Sequence, residues 1–95
     1  MDNIYTIKIS FKPIATEETS IEFPIFSDKE LKDIHICEAL FSQSNIGEGE
    51  LYNRIQANYF VKHGRMARSL SIFDEVTIED RTYKCAEFGW EKVGA

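Results

Sequence analysis

A chain of 95 residues with 43% hydrophobic and 28% charged side chains has the size and composition of one folded domain with a modest core. No apolar run nears the ~20 residues needed to span a bilayer. Met1-Asp2-Asn3-Ile4 also lacks the positive stretch and apolar core of a secretory signal, so a cytoplasmic location is expected.

Tyr5, Ile7, Ile9 and Phe11 alternate with Thr6, Lys8 and Ser10, the period of a half-buried strand. Pro13 is expected to end it, because proline cannot donate to a sheet ladder. The polar stretch Ala15–Ser20 reads as a loop. Ile21, Phe23 and Ile25 then alternate with Ser20, Glu22 and Pro24, and Pro24 places this second strand at a sheet edge or ends it early. The first strand, with its longer unbroken apolar face, is expected to lie centrally.

Ser27-Asp28-Lys29-Glu30 matches a capping box and predicts a helix from about Asp28 to Ser42, with Leu31, Ile34, Cys37 (or Glu38) and Phe41 near helical spacing and Leu40 adjoining. Asp33 is a rival cap, which would move the start to Ile34. Gln43–Gly49 reads as a connection. Leu51, Ile55 and Tyr59 repeat at four-residue steps and predict a second helix from about Glu50 to Asn58, with Gly64 able to terminate it. The clearest signal is C-terminal. A Ser69-Leu70-Ser71 turn introduces Val76 and Ile78, which alternate with Glu75, Thr77 and Glu79; Asp80-Arg81 carries turn chemistry; Tyr83 and Cys85 then alternate with Thr82 and Lys84. Gly89 marks a bend before a short last strand holding Trp90 and Val93. The fold expected is a single α+β domain over 1–95: a mostly antiparallel sheet of four to five strands, one or two helices on one face, and a C-terminal β-meander. Trp90 is expected to be mostly buried, packed with Tyr83 or Phe88.

Arg68-Ser69-Leu70-Ser71-x-x-Asp74-x-Val76 followed by Tyr83-x-Cys85-x-x-x-Gly89-Trp90-x-x-Val93 resembles the tail of YodL-like domains, which recur in proteins encoded by bacterial conjugative and other mobile elements. The resemblance covers residues 68–93. This chain departs from the family pattern in Glu75 after Asp74, in Ala86 where Asp is usual, and in Trp90 for Phe. What the resemblance implies is context: an accessory protein of a mobile element (plasmid, conjugative element or phage), acting by protein–protein interaction, with an anti-defence role among its expected uses. The family offers no activity to carry onto any residue.

The residues themselves argue against catalysis. Ser69, Ser71 and Asp74 lack a nucleophile elbow and are expected to close a turn by bonding its backbone. His35 and Cys37 do not share a helical face, so they make a poor metal pair. Cys37 and Cys85 read as reduced core thiols. No metal or cofactor is therefore expected, and the fold should withstand chelators and reductants. The net charge of −5 is uneven: −6 over residues 1–50, +4 over 51–73, where no acid occurs, and −3 over 74–95. Arg54, Lys62, Arg65 and Arg68 with Tyr59 form the one candidate partner-binding segment, and Arg65 and Arg68 are expected to project from the loop before the Ser-Leu-Ser turn toward an acidic protein surface. The alternative is a nucleic-acid-binding module using residues 54–68, with aromatic residues stacking bases. The bland reading of the same segment is a solvated face that pairs internally with the acidic first half.

Overall fold

The computed structural model describes residues 3–12 and 19–94. In chain order it contains β1 (Asn3–Phe11), β2 (Thr19–Ser27), α1 (Asp33–Ile46), α2 (Glu50–His63), β3 (Glu75–Ile78), β4 (Arg81–Ala86) and β5 (Gly89–Val93). The strands form one sheet of five in the order β2-β1-β3-β4-β5, and every pair is antiparallel. This is an α+β fold whose last three strands make a meander. β1 is internal and β2 is an edge. The expected break at Pro13 and most of the loop after it lie outside the described residues.

Alternation sorts the sheet into a wet face and a face packed under the helices. Ile7, Ile9, Ile21, Phe23, Val76 and Ile78 are all buried on the inner side, where Ile36, Leu40, Ile55 and Tyr59 of the helices meet them. α2 lies over β2, while α1 reaches across to β5.

Several boundaries differ from those the sequence suggests, for local reasons. α1 begins at Asp33, not Asp28, and runs on to Ile46. Ser27 does not cap it. Its hydroxyl accepts a 3.1 Å bond from the Lys29 N–H in a turn, and the N-cap position, Lys32, makes no side-chain cap. Asp33 stands inside the first turn and turns its carboxylate to the sheet. The later start shifts the buried stripe to Ile36, Cys37, Leu40 and Ser44, leaving Ile34 exposed. α2 continues past Asn58 to His63, where Gly64 closes it with φ 73°. The tight turn of the β3–β4 hairpin is Glu79-Asp80, because Ile78 and Arg81 already face each other. Glu79 has φ 56°, a conformation unfavourable for a side chain. It is held by two bonds to Thr6: its N–H donates to the carbonyl at 2.9 Å, and its carboxylate accepts from the N–H at 3.0 Å.

The helices are joined tightly. Gly49 lacks a capping side chain, and Gln43 of α1 replaces it by accepting from Leu51 N–H at 2.8 Å. A Cβ on Gly49 would stand 2.3 Å from that Gln43 oxygen and displace the cap, and at φ 120° any side chain would be strained, so glycine is favoured here.

Candidate partner-binding surface

The basic segment is the first place to look, and the fold uses it mostly from within. In an antiparallel ladder alternate residues turn their backbone groups to opposite sides. Thr6 bonds toward β3 through Glu79, so its cross-strand neighbour Pro24, along with Ser20, Glu22 and Phe26, points backbone groups away from β1 to the free edge of β2. Arg54 of α2 donates to the Pro24 carbonyl at 2.8 Å, bonds Glu50 at 3.3 Å and sits 5.9 Å over the Phe26 ring. His63 Nε2 lies 3.1 Å from the Ser20 carbonyl, and Lys62 donates to the Ser20 hydroxyl at 3.3 Å. α2 thus lies along this edge from Arg54 to His63. Tyr59, expected to stack on a ligand, is buried at 6% exposure; it packs edge-on against Phe11 with ring centres 5.3 Å apart.

Arg68 is engaged as well. Asp74 is wholly buried, and a buried carboxylate needs partners for both oxygens. Arg68 supplies a bidentate pair at 2.7 and 2.8 Å, the Ser71 N–H donates at 2.9 Å, and the Lys12 N–H donates at 2.8 Å. The bond to Asp74 holds the Arg68 guanidinium above its ordinary pKa. Arg68 is therefore tied to Asp74 through its guanidinium although its side chain stays 44% exposed. Arg65 is exposed, and among the described residues it makes no hydrogen bond or ion pair.

The rest of that loop is pinned in the same manner. Gln56 clamps Ala67 through both its side-chain atoms, at 2.8 and 3.1 Å. Leu70 is buried, its N–H donating to the Ser44 hydroxyl and its carbonyl accepting from Asn45, while the Ser69 hydroxyl donates to the Ser44 carbonyl. Of the three residues expected to close the turn only Asp74 does, its carboxylate accepting from the Ser71 N–H and its own N–H donating to the Ser71 carbonyl; the Ser69 hydroxyl bonds α1, the Ser71 hydroxyl accepts from Arg68 at 3.2 Å, and His63 is turned away to Ser20. Phe73, inside that turn, has φ 78° and is 64% exposed.

A second charged cluster fastens α1 to the meander. Arg81 grips Asp33 at 2.6 and 3.0 Å, and the Tyr83 hydroxyl donates to the same carboxylate. The Arg81 bond holds the Asp33 carboxyl below its ordinary pKa, and the bond to Asp33 raises that of Tyr83. Both thiols are free and buried; burial pushes Cys37 up to about 12 and Cys85 upward too, so neither is an activated nucleophile.

The other end of the sheet is different. Cys85 exchanges backbone bonds with Phe73 and Asp74, so Arg81, Tyr83 and Cys85 turn toward β3 while Thr82, Lys84 and Ala86 turn toward β5. Their partners are Val93, Glu91 and Gly89. Trp90 and Lys92 therefore point their N–H and C=O groups outward, and among the described residues nothing bonds them. Trp90 is half-buried, less than its pattern suggests. Its ring meets Phe41 of α1 edge-on at 6.4 Å and not Phe88, which is 93% exposed at the hairpin tip. Between α1 and this hairpin opens a cavity of roughly 240 Å³ walled by Phe41, Trp90 and Cys85, with Glu38 and Glu87 at its lining. Trp90 was legible as a landmark in the sequence; Glu38, Phe41 and Glu87 were not, because nothing local says that α1 crosses to β5. Among the described residues no cluster of His, Cys, Asp and Glu is arranged to hold a metal, and no helix is long and apolar enough to cross a membrane. Compared with models of known protein families, with curated proteins and with solved structures, the chain finds no match.

Proposed function

We propose that this chain is a small non-enzymatic accessory protein that acts by binding another protein, in the cytoplasm, and that it serves a bacterial mobile element. The surface that carries the reading is the β4–β5 hairpin end: an unpaired strand edge, a fully exposed aromatic at the tip, and an aromatic-walled cavity beside it. The mobile-element setting and the anti-defence use rest on the resemblance of residues 68–93 alone. Binding of nucleic acid through residues 54–68 has less support, because Arg54, Lys62 and Arg68 are engaged within the fold and Tyr59 is buried.

The test is site-specific photo-crosslinking in cells that make the chain. A benzophenone amino acid replacing Phe88 is expected to give a discrete protein adduct, and the same group replacing Glu22 at the other edge is not. Adducts to nucleic acid, or equal labelling from both positions, would remove the reading.

A further inference from the structure

We infer that the β5 edge takes an extended segment of the partner as a sixth strand, and that this segment carries a lysine or arginine whose side chain enters the cavity beside Trp90. The inference rests on the protein-binding reading above and names the chemistry of its site.

The backbone argument comes first. Trp90 and Lys92 offer outward N–H and C=O groups in the alternation that an added antiparallel or parallel strand requires, and main-chain bonds of this kind supply affinity whatever the sequence of the guest. The side-chain argument chooses the guest. A residue added opposite Trp90 shares its face and lies beside the cavity, which at roughly 240 Å³ suits one side chain and falls below the range of small-molecule sites. Two aromatic rings, Phe41 and Trp90, wall it, and Glu38 and Glu87, two acidic residues with no ion-pair partner among the described residues, are part of its lining. Aromatic faces with carboxylates favour a cation on an aliphatic stem. The one cation on this part of the inner face, Lys92, already acts on Asp33.

A second copy of the chain is the obvious rival occupant. The two-fold register that uses the whole of β5 is centred on Glu91 and sets that carboxylate against its own image, an unfavourable cross-strand pair. It sets Lys92 of the second copy opposite Trp90, but that lysine already acts on Asp33 of its own chain and so is not a free cation for the cavity.

The chain contains one tryptophan, so its fluorescence reports on this site directly. The probe is a blocked heptapeptide of alternating lysine and valine, with a glutamate–valine peptide and a lysine–valine peptide N-methylated at alternate amides as controls. The lysine peptide is expected to shift Trp90 emission saturably, and the two controls are expected to leave it unchanged. Lys92→Pro removes an outward N–H, a change edge strands tolerate, together with the Lys92 charge, and is expected to weaken binding about tenfold or more, with Lys92→Thr, which removes the charge and keeps the N–H, as the control. Glu38→Gln with Glu87→Gln is expected to weaken binding about tenfold and to flatten its salt dependence. No shift with the lysine peptide, equal binding by its N-methylated form, or dimerisation of the free chain in sedimentation would each overturn the inference. A protein adduct at position 88 without peptide binding at β5 would keep the protein-binding reading and remove only this one.

Discussion

Along β2, proline removes one outward N–H and α2 takes two outward carbonyls, whereas along β5 the same kinds of group face water. The longer strand, nine residues, is the covered one, and the five-residue strand is open. An exposed edge is a template for pairing with another chain, and natural sheets blunt it with proline, charge or a covering element. β2 shows all three: Pro24, the cations Arg54 and Lys62, and the helix that bears them. The difference teaches that the basic segment has a use that needs no ligand. Of the four cations over residues 51–73, Arg54 and Lys62 are spent on sealing β2 and Arg68 on Asp74, leaving Arg65 alone unengaged among the described residues, and the larger surface left for a partner is the one at the opposite end.

The sharpest way to break the comparison is to cut the tie between its halves. Arg68→Ala leaves the buried Asp74 carboxylate without its guanidinium, and because Arg68 is itself 44% exposed and two backbone donors remain, the loss should be about 3 kcal/mol, the upper end for an under-satisfied buried group. Denaturant unfolding should show that loss, and a wild-type midpoint would mean that Asp74 is satisfied by its two backbone donors alone. Trp90→Ala tests the open end. Because the ring is half-buried, the loss should be about 2 kcal/mol, below the ~3–5 kcal/mol of a fully buried aromatic. Thermal melts of this variant with and without Phe41→Ala would show whether the two rings act together.

Acid should loosen the Asp33–Arg81 clamp that fastens α1 to the meander. The folded pKa of Asp33 is depressed, so its contribution is full above the unfolded value near ~3.9 and disappears as pH falls through the lower folded value. With Arg81 37% exposed, about 1 kcal/mol is at stake after solvent screening. Melting temperature followed from neutral pH to pH ~2 should fall less steeply in Asp33→Asn than in the wild type. The smallest change in stability belongs to the guard. Arg54→Ala with Lys62→Ala should cost under ~1 kcal/mol, since these are exposed contacts. Its effect lies elsewhere: sedimentation at rising concentration should show association of the double variant. A monomer under all conditions would mean that Pro24 and the body of α2 suffice.

The strands were legible in the sequence because their alternation is long and their residues few in kind. Pro24 announced an edge, and Gly64 announced the end of α2. The start of α1 was not legible. Ser27 and Glu30 have the spacing of a cap, but Tyr5 draws the chain elsewhere by accepting from the Leu31 N–H at 2.8 Å, and Asp33 is claimed by Arg81 from 48 residues away. Arg68 misled for a similar reason. A basic residue beside Gly64 and small side chains looks solvent-directed until Asp74 is seen to be buried, and burial is a property of the whole core. The cavity beside Trp90 was hidden by the same distance, since its walls come from residues 38–41 and 85–90.

The cover on β2 also has an order in time. α2 follows its strand within one helical hairpin, which Gln43 closes locally, so a nascent chain that has emerged as far as Gly64 already holds the means to shield its longest edge. The opposite side of β1 has no such provision until residues 75–78 are synthesised and pair with it across more than sixty positions of sequence. Ribosome-bound intermediates stalled between these two points would display Lys8 and Ser10 as a sticky border, and chaperone contact during translation should peak within that interval and cease once β3 has docked.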